Sequence, residues 1–314
     1  MLIDFRDSSL QALVEPSRPL HEALAATFDR SAPDLSTPEG LALARKKADA
    51  FTSLSPDDLS VPAEVRSVHV AGRTVDVRVV RPAGEVRGVY LDVYGGGFYL
   101  GSASMSDKRN HELCTSCNLA VVSVEYRLAP EHPWPAGPDD CETAALWLLE
   151  EAVAEFGEGR LAIGGGSAGA TLAAVTLLRM RDRHDAVDRF VGANLVYGVY
   201  DLSGMSPSGR SMVDARRYYL DAYLRDVPDA ERTRPDVSPL FADLTGLPPA
   251  LFSVGDLDAL YEDNLAMAMR WAAAGGETEL VVYPECPHGF NSLPTPMAAE
   301  ANRRIRQWIG ELFR

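Results

Sequence analysis

Between residues 65 and 283 short apolar runs alternate with longer amphipathic stretches, and the rhythm of that alternation predicts the fold. Val68-His69-Val70 and Val75-Asp76-Val77-Arg78-Val79 alternate apolar and polar positions on either side of Ala71-Gly72, the pattern of an antiparallel hairpin. Beyond it the pattern changes. Val89–Val93, Ala120–Val124, Leu161–Ile163, Ala193–Val196, Ala250–Val254 and Glu279–Tyr283 are mostly continuous runs of β-branched or large apolar residues, as expected of strands covered on both faces. Helices are expected between them, at roughly Lys108–Asn118, Asp140–Phe156, Ala170–Arg183, Glu262–Ala274 and Pro296–Phe313. Strand and helix alternating at this spacing imply right-handed crossovers, hence an α/β fold with a mostly parallel, doubly wound sheet of eight strands and the hairpin as its antiparallel edge.

Two regions break the rhythm. Residues 1–60 carry helical patches, Leu20–Phe28 and Pro38–Phe51, separated by proline and serine, and residues 199–240 are polar, proline-bearing and supplied with Tyr218, Tyr219 and Tyr223. Insertions in α/β domains commonly lie over the carboxyl ends of the strands, where ligands bind. The expected organisation is therefore an N-terminal cap segment (1–60) and a catalytic domain (61–314) that carries a second cap insertion at about 199–240.

Composition narrows the function. At 314 residues, with 46% hydrophobic and 24% charged positions, the chain is an ordinary globule with a sizeable core, and no run approaches the length of a membrane-spanning helix. Residues 1–10 lack the apolar run of a secretory signal, which points to a cytoplasmic location. A formal charge of −15 repels phosphates, so nucleic acid is a poor partner and a neutral small molecule a better one. Cys114 and Cys117 form a Cys-x-x-Cys one turn after His111, but they fall in the middle of a helix and no second ligand pair follows; packing thiols are expected, with neither metal nor cofactor. Cys286, two residues before His288, is not expected to be catalytic.

The chemistry is carried by Gly165-Gly166-Ser167-Ala168-Gly169, at the join between the run Leu161–Gly164 and the helix from Ala170. A serine there is forced into a sharp turn that exposes its hydroxyl, and glycines relieve the crowding. A hydroxyl is a weak nucleophile, so it needs a base to take its proton and a carboxylate to orient that base. Of the six histidines only His288, in Pro287-His288-Gly289-Phe290, follows the last strand. The carboxylate should follow the preceding strand, in Gly255-Asp256-Leu257-Asp258; Asp258 is preferred, with Asp256 nearer the sheet as a structural partner. Glu262 and Asp263 read as first-turn carboxylates that meet the helix dipole. Tyr94-Gly95-Gly96-Gly97-Phe98 lets backbone N–H groups approach a developing oxyanion, and the N–H of Ala168 adds another donor.

In these features the chain resembles the hormone-sensitive-lipase-like esterases, the bacterial family IV of the α/β-hydrolase superfamily. The likeness runs from about Val89 to Phe290 and includes the glycine loop, Glu125–Ala136, the serine turn, Asp258 and His288-Gly289-Phe290. It implies Ser167 as nucleophile, His288 as base, Asp258 as its orienter, the N–H groups of Gly96, Gly97 and Ala168 as oxyanion hole, and a helical cap. Two positions depart from the family: Tyr94 stands where histidine is usual, and Gly166 where an acidic residue is more common. Arg127 and Glu131 are expected to serve the scaffold as internal partners. Tyr94, Phe98 and Tyr99 are expected near the substrate pocket. The function so read is a carboxylesterase for short- to medium-chain acyl esters, with a homodimer as an assembly seen among similar enzymes. Two rivals remain on sequence grounds, an amidase or peptidase using the same triad and a non-catalytic small-molecule receptor.

Overall fold

In the computed structural model, which describes residues 7–27, 37–52, 63–207, 209–210 and 220–314, eight strands form one sheet in the order β1-β2-β4-β3-β5-β6-β7-β8. They are β1 Glu64–Val70, β2 Arg73–Val80, β3 Gly88–Val93, β4 Leu119–Glu125, β5 Leu161–Gly166, β6 Phe190–Val196, β7 Ala250–Gly255 and β8 Thr278–Tyr283. β1 and β2 are the expected hairpin, and β2 joins β4 antiparallel; the remaining neighbours run parallel. After β4 the chain returns to the other side of β3 to form β5, so strand order reverses there and leaves a crevice at the carboxyl ends.

Among the described residues, the long α-helices are α1 Val14–Thr27, α2 Pro38–Thr52, α3 Asp107–Cys117, α4 Ala136–Phe156, α5 Ala168–His184, α6 Tyr261–Ala273 and α7 Pro296–Leu312. Residues of α4, α5 and α6 join one apolar core and those of α3 and α7 another, on opposite faces of the sheet. Single strands feed both. Val89, Leu91 and Val93 point into the first core while Tyr90 points into the second, and along β4 Ala120, Val122 and Val124 oppose Leu119 and Val121. This double burial explains why those strands read as continuous apolar runs. The alternating hairpin has an exposed face: Val77 and Val79 are buried while Thr74 and Asp76 meet solvent.

The helical patch Pro38–Phe51 lies within α2, and Leu20–Phe28 within α1 except for Phe28, which lies outside the described residues, as do Tyr218 and Tyr219. α4 begins four positions before the expected Asp140, because the segment from Ala136 is already helical. Among the described residues, no helix is long and apolar enough to cross a membrane.

Candidate active site

β5 ends on glycines because its neighbours leave no room for side chains. A Cβ at Gly165 or Gly169 would collide with the carbonyl oxygen of Val93, and one at Gly165 would lie 2.7 Å from the carbonyl carbon of Gly169. The next residue, Ser167, has φ 56° and ψ −124°, a conformation a serine holds only where its surroundings fix it. Its N–H donates to Val196 O at 2.8 Å, and its carbonyl accepts the N–H of Ala170 at 3.0 Å as α5 begins. The hydroxyl is thereby lifted off the end of the sheet, above the N-terminus of α5, whose first residue is Ala168.

The loop after β8 brings His288 to it. His288 Nε2 lies 3.0 Å from Ser167 Oγ, and Nδ1 lies 2.8 Å from Asp258 Oδ2. An ionised carboxylate only accepts, so Nδ1 carries the proton and Nε2 is left to accept from the serine hydroxyl. The side chain of Asp258 is fully shielded from solvent and that of His288 is 17% exposed. The second Asp258 oxygen accepts the N–H of Leu260 at 2.8 Å, which fixes the carboxylate's orientation. Asp256, the competing aspartate, turns away: its Oδ1 accepts the N–H of Glu285 at 2.7 Å and ties the two strand-end loops together.

The N-terminal segment grips this histidine loop. Arg18 of α1 forks onto Glu285 through Nε at 2.8 Å and Nη2 at 3.1 Å, and His21 Nδ1 donates to the Glu285 carbonyl at 2.9 Å. Burial holds the His21 imidazole below its usual pKa, in keeping with a neutral donor. α2 does the same for the glycine loop: Arg45 donates to the carbonyls of Tyr99 and Ala129, each at 3.2 Å, and pairs with Glu131 at 2.7 Å. Arg127 pairs instead with Asp140 at 2.8 Å. The two scaffold residues thus have separate partners.

The glycine loop lies against the serine turn. A Cβ at Gly95 would be 2.6 Å from Gly166 O and 3.4 Å from Ser167 Cβ. Gly96 and Gly97 follow with φ 140° and 60°. The Tyr94 ring is turned into the interior. It is 1% exposed and stacked on Tyr126 with centroids 4.3 Å apart. Each tyrosine hydroxyl donates to the other's carbonyl, at 3.3 and 3.1 Å. This crossed pair braces the start of the loop where histidine would otherwise stand. Phe98 and Tyr99 are also buried, Phe98 lying parallel to Tyr223 of the 199–240 segment at 4.0 Å.

Asp263 stands in the first turn of α6, as expected, but it is buried there and accepts the N–H groups of Tyr200 and Asp201 across the interior. Burial pushes its carboxyl up to about 7. Cys114 sits in the core, its thiol pushed up to about 11 by burial, and Cys117 Sγ donates to the Arg306 carbonyl at 3.3 Å. Cys286 is fully buried and burial raises its thiol strongly. Among the described residues, no group of three or more His, Cys, Asp or Glu side chains is arranged to hold a metal. Sequence reasoning missed Tyr197, whose ring lies 4.7 Å from that of His288. The available signal was its place directly after β6, at the carboxyl end of the strand beside the serine turn.

Known proteins resemble this arrangement along most of the chain. A family model described as the alpha/beta hydrolase fold matches residues 90–292. Carboxylic ester hydrolase LipN of Mycobacterium tuberculosis is 35% identical over 249 residues, which cover 75% of this chain and 64% of LipN, just under two thirds of that relative's length. Carboxylesterase NlhH of the same organism is 35% identical over 257 residues, covering 77% of this chain and 80% of NlhH. A solved hormone-sensitive lipase from a metagenome library superposes with a TM-score of 0.79 at 26% identity, covering 95% of this chain and 98% of that one. With its reversed strand order, serine turn and strand-end histidine, this chain belongs to the α/β-hydrolase fold family, among its hormone-sensitive-lipase-like esterases.

Proposed function

We propose that this chain is a metal-independent carboxylesterase in which Ser167 is the nucleophile, His288 the general base and Asp258 the group that orients it. The single observation that carries the reading is the unbroken line from Asp258 Oδ2 through both imidazole nitrogens to Ser167 Oγ, with contacts of 2.8 and 3.0 Å. Ser167 Oγ attacks the ester carbonyl while His288 Nε2 takes its proton, and the N–H groups of Gly96, Gly97 and Ala168 receive the charge that develops on oxygen. Expulsion of the alcohol, protonated by His288, leaves an acyl-serine. Water, deprotonated by the same imidazole, then releases the carboxylic acid and restores the hydroxyl.

Residues 1–60 and about 199–240 are proposed to cap this site, the remainder of 61–314 forming the catalytic body. Arg18, His21 and Arg45 support that reading, since each ties an N-terminal helix to a loop of the site. Phe98 and Tyr99, with Tyr223 laid against Phe98, are proposed as the apolar wall for a short or medium acyl chain. A cytoplasmic location and a homodimer complete the proposal, the latter measured by light scattering. Matched p-nitrophenyl esters of graded acyl length, beside the corresponding anilides, test the substrate class. Hydrolysis of esters from acetate to octanoate with slow anilide turnover is expected; faster anilide cleavage would favour an amidase.

A further inference from the structure

Tyr197 occupies a backbone conformation that a bulky residue holds only under constraint, with φ 38°. Its N–H donates to Ser253 O at 2.7 Å, while the carbonyl of Val196 just before it receives the N–H of Ser167 at 2.8 Å. The end of β6 is therefore pinned to β7 on one side and to the serine turn on the other.

Held this way, the ring enters the space between the serine turn and the histidine loop. Its Cε2 lies 3.3 Å from where a Cβ at Gly166 would stand, so the glycine before Ser167 is what makes room for it. On the other side it meets His288, with centroids 4.7 Å apart and planes inclined by 59°, and touches Phe290 edge-on at 6.3 Å. The hydroxyl is anchored from behind. It donates to Asn291 Oδ1 at 2.5 Å; Asn291 Nδ2 donates to Asn302 Oδ1 at 3.2 Å, and Asn302 Nδ2 returns a bond to Asn291 O at 2.9 Å. Tyr197, Asn291 and Asn302 also line a crevice of about 40 Å³ between α3 and α7, room for a few waters at the back of this network.

We propose that Tyr197 is the positioning residue of the base: its ring holds the His288 imidazole in line between Asp258 and Ser167, and its π system favours the imidazolium that forms when the serine proton is taken. The proposal rests on the triad reading above. A cation over the face of an aromatic ring, within about 6 Å of its centroid, is attracted by the ring's quadrupole, and more strongly where water is excluded. Burial keeps the phenol neutral, its pKa pushed up to about 12, so the ring contributes no charge of its own near neutral pH. A residue that only fills space would hold the loop without altering the protonation of the imidazole.

The test compares Tyr197→Phe and Tyr197→Leu in the full chain, reading kcat, KM and the pH profile of kcat/KM. Phe keeps the ring and should keep kcat within about threefold with an unchanged profile. Leu should lower kcat by about five- to tenfold with KM within about twofold, and move the acid limb down by about half a pH unit, because the imidazolium loses its aromatic neighbour. If Leu does not fold, Tyr197→Met fills a similar volume without a π face. NMR titration of the His288 ring protons, in a Ser167→Ala background with each Tyr197 variant, reads the same shift without turnover. An inactive wild type would sink the triad reading while leaving that titration to judge the clamp. A Leu or Met variant with wild-type acid limb, titration and kcat would overturn the proposal, as would a Phe variant as impaired as Leu.

Discussion

The hydroxyl of Ser167 stands 3.0 Å from Nε2 of His288 although 121 positions of sequence separate them. Two strand ends make that meeting: β5 delivers the serine on a strained turn, and β8 leads into a loop held by Arg18, His21 and Asp256. Asp258 completes the line because the loop after β7 is packed so tightly on the histidine loop that a Cβ at Gly255 would lie 2.6 Å from the carbonyl carbon of Cys286.

The two aspartates after β7 should separate cleanly. Asp258→Asn keeps the shape but lets the amide stabilise the wrong imidazole tautomer, and kcat is expected to fall by about 10³ to 10⁴. Asp256→Asn retains an oxygen for the Glu285 N–H and should cost less than about tenfold. Steady-state kinetics on one ester measures both.

Gly95→Ala is expected to damage turnover more than binding. The new methyl would stand 2.6 Å from Gly166 O, so the glycine loop must move away from Ser167. Displacing one oxyanion donor costs about 10² to 10³ in kcat, while KM should change by less than about threefold.

Asp263 makes stability depend on pH in a defined direction. Its folded pKa, about 7, lies above the usual aspartate value of 3.8, so between the two the folded protein holds a proton that the unfolded chain has released. Its contribution is full below about pH 4, declines as pH rises, and has gone once pH passes about 7. Asp263→Asn keeps the acceptor for Tyr200 and Asp201 and removes that titration, and should be more stable than wild type at pH 8 by on the order of 3 kcal/mol. Urea unfolding at pH 4.5 and pH 8 measures the difference; a wild-type stability that rises relative to the variant across this window would refute it.

Cys286 lies two residues from His288 yet is fully buried, and burial disfavours its thiolate. Iodoacetamide should therefore leave Cys286 unmodified in the folded protein, as peptide mass mapping reads. Cys286→Ala should retain kcat within about threefold. Rapid alkylation with loss of activity would contradict the placement.

The sheet was legible because strands buried on two faces must be apolar at nearly every position, as Val89–Val93 and Ala120–Val124 are. Gly165 and Gly166 did not read as strand, since glycine has no side chain to favour one; their extended form is imposed by the strands beside them, Val93 pairing with Gly165 and Val196 with Gly166. Ser167 and His288 were visible from their positions at strand ends. The partners of Asp263 and Tyr94 were not legible, for a common reason. A first-turn carboxylate and an aromatic beside a glycine loop have local explanations, whereas their partners, the Tyr200–Asp201 backbone and Tyr126, lie far away in sequence. Tyr197 offered only its place after β6, because its meaning comes from the gap that Gly166 leaves.

Covalent labelling tests the central claim most directly. A fluorophosphonate should add one phosphonyl group to the peptide carrying Ser167, abolish ester hydrolysis in step with that modification, and leave Ser167→Ala unlabelled, with turnover reduced by about 10⁴ or more. Label on another residue, or a Ser167→Ala protein that hydrolyses esters like the wild type, would contradict it.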